Sequence, residues 1–270
     1  MARPACPPVL GRRALLGTGI ACATLARAAR ATSDPYATYD ALLRRHVVAG
    51  ADGITRVAYG SWRASGADRA ALDGAIAAMS ARRPSAMPRA EAYAFWANLY
   101  NAVTLKVVLD RYPVASIRDI KGSSWLDPKA YAGPWRDQRV SVEGRGLSLD
   151  DIEHAIMRPG FKDPRVHYAV NCASLGCPNL MARAWRAETL EPDLDAAARA
   201  YVNHPRGVAA LPSGALRVSS IYRWFAEDFG GDDDGLRAHL RTHAAPPLAR
   251  ILDGAPAIAE HGYDWSLNRA

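Results

Sequence analysis

Residues 89–111 read RAEAYAFWANLYNAVTLKVVLDR. Phe95, Leu99, Val103 and Val107 recur every four positions, and Trp96, Tyr100 and Val108 widen the stripe. That spacing predicts one long helix. A helix apolar over so much of its surface belongs at the centre of a core. Pro84 and Pro88 punctuate the loop before it, and Tyr112-Pro113 ends it. Asn98 and Asn101 lie three apart and share a face near that core. A buried amide must be hydrogen-bonded. Bracing of neighbouring backbone is the favoured role, and holding a catalytic imidazole or loop is the sharper alternative.

Working outward, apolar spacing predicts helices over 35–50 and 68–80, with a short strand at 54–59 between them. Downstream, 139–146 reads as a small hairpin. Residues 149–157 read as a helix, with Ser148 as N-cap and Asp151 at N3 in the manner of a capping box. That role removes Asp151 from the candidate catalytic acids. In 165–172, Val166, Tyr168, Val170 and Cys172 alternate with His167, Ala169 and Asn171, which predicts an interior strand. Further helices are expected at 190–202, 221–229, 236–240 and 247–252, and strands at 214–219 and within 257–268. The run 230–235, GGDDDG, lacks the spacing of a calcium loop and reads as helix-capping. The expected fold is α+β: a single helix-rich domain over 32–270 with a small, mostly antiparallel sheet.

Residues 1–31 read as an export signal. Arg12-Arg13 precede the apolar run 14–26, and Ala26-Arg27-Ala28 and Ala29-Arg30-Ala31 both fit a cleavage pattern. The paired arginines favour a twin-arginine signal over an ordinary secretory one. The apolar run is too short for a comfortable membrane span, so no stable span is expected after the signal is removed. This segment holds five arginines and no acid. Without it 29 basic residues face 27 acidic ones, and the formal charge falls from +7 to +2. The basic character therefore lies largely in the leader and argues against nucleic acid as a partner. The expected location is periplasmic or secreted.

Export leaves Cys172 and Cys177 as the mature cysteines. They fall in 147–179, LSLDDIEHAIMRPGFKDPRVHYAVNCASLGCPN, with Glu153, His154 and His167. No other stretch concentrates so many groups able to act as nucleophile, base or ligand. Pro178 after Cys177 reads as the first position of a helix, which would put Cys177 at an N-cap and lower its thiol pKa. The N–H groups around Ser174–Cys177 are candidates for an oxyanion hole.

FWANLYNA (95–102), SLDDIEHAIMR (148–158), DPRVHYAVNCASLGCP (163–178) and YDWSLN (263–268) together resemble the family labelled domain of unknown function 547. Met157 and Tyr168 stand where the family motifs usually read Leu and Phe. Members of that family are considered similar to papain-like cysteine peptidases, with the motif order permuted so that Glu and His precede Cys. The resemblance implies Glu153 and His154 as acid/base elements and Cys172 as nucleophile, and it favours Cys172 over Cys177.

Three functions follow for the same residues. A cysteine hydrolase of peptide or acyl bonds would use Cys172, His154 as base, and Asn98 or Asn101 as the orienting amide. Its partner would be a peptide or small-molecule substrate, with no cofactor. A structural or binding module would instead bridge Cys172 and Cys177 in a disulfide. A zinc site from His154, His167, Cys172 and Cys177 ranks last, because the spacing matches no zinc pattern and the expected strand puts His167 and Cys172 on opposite faces.

Overall fold

The computed structural model describes residues 1–2, 34–122 and 133–270. The expected leader and Trp125 lie outside the described residues. Asp34–Ala270 forms one unit, which begins with α1 (Ala37–His46). A hairpin of β1 (Val47–Ala49) and β2 (Thr55–Val57) follows. Next come α2 (Tyr59–Ala64) and α3 (Gly66–Ser80), the latter capped by the Ser65 side chain, which accepts the Asp68 N–H.

The long helix α4 spans Arg89–Arg111, as the sequence predicts. Pro88 starts it without sacrificing an N–H, and the residue before Pro113 is biased away from helix. Every residue from Ala92 to Leu105 is buried. The helix threads a core that includes Tyr39, Leu43, Trp62, Leu72 and Met79. Such an all-round apolar helix has no solvent face to present.

A second hairpin, β3 (Val140–Val142) with β4 (Arg145–Leu147), leads into a helical run. Ser148 and Asp151 form the expected reciprocal pair: the Ser148 N–H donates to Asp151 Oδ2 at 2.9 Å, and the Asp151 N–H to Ser148 Oγ at 3.0 Å. From Asp151 to Met157 the run is a π-helix, and α5 (Arg158–Phe161) closes it. Two sequence expectations fail next. Residues 165–172 are not a strand, because Val166–Ala169 form a helical turn, α6. Asp163 and Arg165 explain it: Asp163 Oδ1 accepts the Arg165 N–H at 2.9 Å, which starts a turn. The Arg165 guanidinium is then pinned by Asp163, Glu191 and Asp195. No helix begins at Pro178 either; the chain from 177 to 186 is irregular.

The helix α7 (Leu190–Val202) joins two cores. Leu190 and Leu194 belong to the core around α4. Ala198, Tyr201 and Val202 belong to a second one with Tyr168, Tyr222 and Phe229. That second core includes β5 (Val208–Ala210), β6 (Leu216–Ser219) and α8 (Ser220–Trp224). It is completed by α9 (Asp233–His243), α10 (Pro246–Asp253) and β7 (Ile258–Gly262). Asp232 in the acidic run caps α9, accepting the Gly235 N–H at 2.8 Å. β6 pairs antiparallel with β5 and parallel with β7. The fold is thus helix-rich α+β, and among the described residues the strands are split among three small sheets rather than gathered in one. Among the described residues no helix is long and apolar enough to cross a membrane.

Candidate active site

Where the two cores meet, a cavity of ≈ 180 Å³ gathers Glu153, His154, His167, Cys172 and Cys177 among its lining residues. Five side chains carried by a π-helix, a helical turn and a loop therefore face one space. Adjacent residues on an α-helix diverge by about 100°. The wider i→i+5 turn of the π-stretch is a local departure of the kind that recurs at functional sites. Here both Glu153 and His154 line the cavity.

The first cluster is a chain of charges. His167 is buried, with its ring stacked on Phe225 at 4.2 Å. Its Nε2 lies 2.7 Å from Asp228 Oδ2, and its Nδ1 lies 3.7 Å from Glu153 Oε1. Arg158 Nε donates to the same Asp228 oxygen at 2.5 Å. Burial alone would lower the His167 pKa, but the two carboxylates outweigh it and raise it. Burial would likewise raise Glu153, yet the neighbouring imidazoles of His167 and His154 bring it below its ordinary value. Tyr100, on α4, lines the same cavity and also lowers Glu153. The His167 hydrogen bond and Arg158 hold Asp228 down to about 2. Both His167 nitrogens thus face carboxylates, Asp228 at hydrogen-bonding distance and Glu153 farther off, which favours the charged ring.

His154 is different. It is exposed, and its nearest carboxylate, Asp150, lies 4.0 Å away one helical turn back. Asp150 lines the cavity too, and burial raises its pKa.

The second cluster holds the sulfurs, both of them free thiols. Tyr263 Oη lies 3.0 Å from Cys177 Sγ, 3.1 Å from Cys172 Sγ and 2.8 Å from Ser174 Oγ. The Cys172 N–H donates to Cys177 Sγ at 3.0 Å. Burial would raise Cys177, but hydrogen bonds from Cys172, Tyr263 and Ser174 overcome it and bring it to about 6. Cys172 moves the opposite way, because its thiol proton is held by the Cys177 sulfur and because it is buried. Burial also raises the Tyr263 phenol, so its hydroxyl keeps the proton it donates. The expected low thiol pKa at Cys177 is present, but a helix dipole is not its cause.

The cysteine loop is held from several sides. Ala173 sits at φ 64 between Cys172 and Ser174, a left-handed turn unusual for a residue with a Cβ. Asn171 Oδ1 accepts the Ala173 N–H at 2.8 Å, and Asn171 Nδ2 donates to the Pro178 carbonyl at 2.7 Å. The C-terminal segment lies alongside: Leu175 N–H donates to the Ser266 carbonyl and Gly176 N–H to the Asp264 carbonyl, both at 2.8 Å. Cys177 N–H donates to the Ser174 carbonyl at 3.2 Å. The Leu175, Gly176 and Cys177 N–H groups are thus committed and do not serve the expected oxyanion hole.

Asn98 and Asn101 do not line the cavity. Asn101 Nδ2 donates to the Ala169 carbonyl at 2.9 Å and its Oδ1 accepts the Asn171 N–H at 2.8 Å. Asn98 does the same for the Trp185 carbonyl and N–H, at 3.0 and 2.8 Å. Both amides brace backbone, and Asn101 braces the segment leading to Cys172. Among the described residues no group of three or more His, Cys, Asp or Glu side chains is placed to hold a metal ion. Sequence reasoning missed Tyr100, Asp150, Ser174, Asp228 and Tyr263. Tyr100 and Tyr263 lie within motifs already singled out, FWANLYNA and YDWSLN. Asp228 carries no such signal.

An aromatic wall completes the cavity. Trp135, Trp224, Phe225 and Trp265 line it. Trp224, 46% exposed, packs on Tyr263 and Trp265 at 4.9 and 5.5 Å between ring centres.

No curated protein and no solved structure matches the chain. Residues 84–202 match the family model described as protein of unknown function, DUF547. Trp224, Phe225, Tyr263 and Trp265 lie beyond that stretch, so the cavity draws on more of the chain than the match covers. Residues 84–202, which carry Tyr100, Glu153, His154, His167, Cys172 and Cys177, are a DUF547 family domain.

Proposed function

We propose that the protein is a cysteine-dependent hydrolase of peptide or acyl bonds, with Cys172 as nucleophile. One observation carries the reading: a hydrogen-bonded thiol pair that loses a proton readily lines the same cavity as His154, an exposed histidine whose Asp150 neighbour stands 4.0 Å away. Cys172 is the less buried sulfur, whereas Cys177 is 3% exposed. The thiolate is the nucleophile in such chemistry. In this reading the Cys172 proton passes to the Cys177 sulfur. Cys172 sulfur then attacks the substrate carbonyl, forming a C–S bond. The C–N or C–O bond breaks, and the leaving group takes a proton from His154. Water gives a proton to His154 and attacks the thioester. The C–S bond breaks, an acid is released, and the pair's one proton returns from Cys177 to Cys172. Tyr263 holds the sulfur charge, and the Glu153–His167–Asp228 array fixes the wall beside it. Glu and His preceding Cys in the chain accords with a permuted papain-like arrangement. The leader would export the protein, which makes envelope peptides and acyl groups the accessible substrates.

A burst assay tests the proposal. Full-length protein mixed with p-nitrophenyl acetate in excess is expected to release about one equivalent of nitrophenol quickly, with an acetyl group on Cys172 by mass spectrometry. Cys172→Ser should abolish the burst. A burst that survives this substitution would refute Cys172 as nucleophile.

The second reading is a non-catalytic module with a Cys172–Cys177 disulfide. Its support is the contact of both sulfurs with one hydroxyl, Tyr263 Oη. Intact mass under non-reducing conditions separates the two, since a disulfide lowers the mass by about two hydrogens and removes the burst.

A further inference from the structure

We propose that a second cavity beside the thiols is a carboxylate subsite, so that the substrate joins an acyl group to an amine-side residue bearing a free carboxylate. It rests on the hydrolase reading for the bond that breaks, but not for the binding. This cavity, ≈ 630 Å³, shares Tyr263 and Trp265 with the thiol cavity. A ligand with its carbonyl at the sulfurs and its other end in the second space would run past those two rings.

Two guanidiniums line it, Arg206 and Arg217. Arg206 Nη1 donates to the Leu175 carbonyl at 3.0 Å and Nη2 to Asn179 Oδ1 at 2.6 Å. Its face covers the Tyr201 ring at 5.4 Å. All of these partners are neutral, and its buried Nε has none. Burial lowers its pKa, which accords with a cation short of a counter-charge. Buried charges are ordinarily paired. Nearby charge exists, since Cys177 and Asp52 both act on Arg206 at a distance, but neither hydrogen-bonds it. Arg217, exposed on β6, makes no ion pair or side-chain hydrogen bond among the described residues. Two carboxylates also line the space, and both are partly spent on local turns. Asp119 Oδ2 accepts the Ser116 N–H at 2.9 Å, and Asp264 Oδ1 accepts the Ser266 N–H at 2.8 Å. Neither pairs with an arginine of the cavity among the described residues. An incoming carboxylate would find Arg217 unpartnered, with Arg206 behind it to add attraction. Arg217 is the direct contact and Arg206 a positioning residue that also holds the cysteine loop through Leu175.

The test compares N-hexanoylglycine with N-hexanoylglycinamide, which differ only in that carboxylate, by calorimetric titration of full-length Cys172→Ser. The acid is expected to bind about tenfold more tightly or better, the worth of one charge-assisted hydrogen bond. Arg217→Ala, on an exposed and unpartnered side chain, should erase the preference, and Arg217→Lys should keep part of it. Equal binding of acid and amide, or a preference that survives Arg217→Ala, overturns the subsite. Turnover by the wild type separates the two proposals. Selective binding without hydrolysis would sink the hydrolase and leave the subsite standing; equal hydrolysis of both compounds would do the reverse.

Discussion

Tyr263 Oη sits 3.0 Å from Cys177 Sγ, 86 residues away in the chain, and donates to the sulfur that carries the negative charge of the thiol pair. It touches the partner thiol and Ser174 as well. One phenol from the C-terminal segment therefore sets the ionisation of a loop whose cysteines alone would ionise with difficulty.

Removing that hydroxyl should be visible without knowing the substrate. Tyr263→Phe deletes one charge-assisted hydrogen bond, worth about 1.5–3 kcal/mol. The pH at which the thiol pair ionises should rise by about one to two units. Iodoacetamide labelling followed across pH measures this. An unchanged midpoint would mean that Tyr263 does not stabilise the thiolate.

Gly176 explains why the loop and the C-terminal segment approach so closely. A Cβ there would lie 2.8 Å from Asp264 N, 2.9 Å from its carbonyl oxygen and 2.9 Å from the Tyr263 ring. Two of those atoms are backbone and cannot swing aside. Gly176→Ala is expected to push Tyr263 off the sulfurs, raising the labelling midpoint as Tyr263→Phe does while also lowering Tm. Retention of both would show that the approach is not required.

Asn101 fixes two buried backbone groups, the Ala169 carbonyl and the Asn171 N–H. Asn101→Ala strands both, at a cost of roughly 1–3 kcal/mol each. Urea unfolding should show a loss of about 2–6 kcal/mol in total. A loss below about 1 kcal/mol would indicate that water or a local shift replaces the amide.

The His167–Asp228 pair makes stability depend on pH in a defined window. Asp228 has a lowered pKa, so its contribution is complete above its unfolded value, about 3.9, and fades as pH falls towards 2. His167 has a raised pKa, so its contribution is complete below about 6.5 and is lost as pH rises through the higher folded value. The penalty of Asp228→Asn should therefore be greatest between about pH 4 and 6.5, near 2 kcal/mol, and smaller at pH 9. Thermal melts of both proteins across pH measure it. A penalty independent of pH would mean that His167 is not charged in the folded state.

Much of this fold is written locally. The apolar stripe of 89–111 defines α4 to the residue, because such a helix has no competing arrangement. Ser148 and Asp151 announce their own reciprocal bond. The helical turn at Val166–Ala169 was hidden because Val166, Tyr168, Val170 and Cys172 alternate with period two. The burial that produces this pattern comes from two cores meeting there: Val166 enters one and Tyr168 the other. The site was half legible for a similar reason. Its sulfurs, Glu153 and both histidines fall in one window, and their chemistry is evident from residue type. Their partners arrive through tertiary folding. Asp228 is 61 residues from His167, and nothing in its local sequence marks it. Cys177 was expected to owe its acidity to a helix N-terminus, and owes it instead to Cys172, Tyr263 and Ser174.

The central claim is that the thiol pair is ionised near neutral pH and presents Cys172 for attack. The most direct measurement is iodoacetamide labelling of the full-length protein from pH 4 to 10, with the modified residue located by peptide mapping. The account predicts label on Cys172 with a midpoint well below the ordinary thiol value of about 8.5. A midpoint at that ordinary value, or protection of both cysteines until a reductant is added, would contradict it.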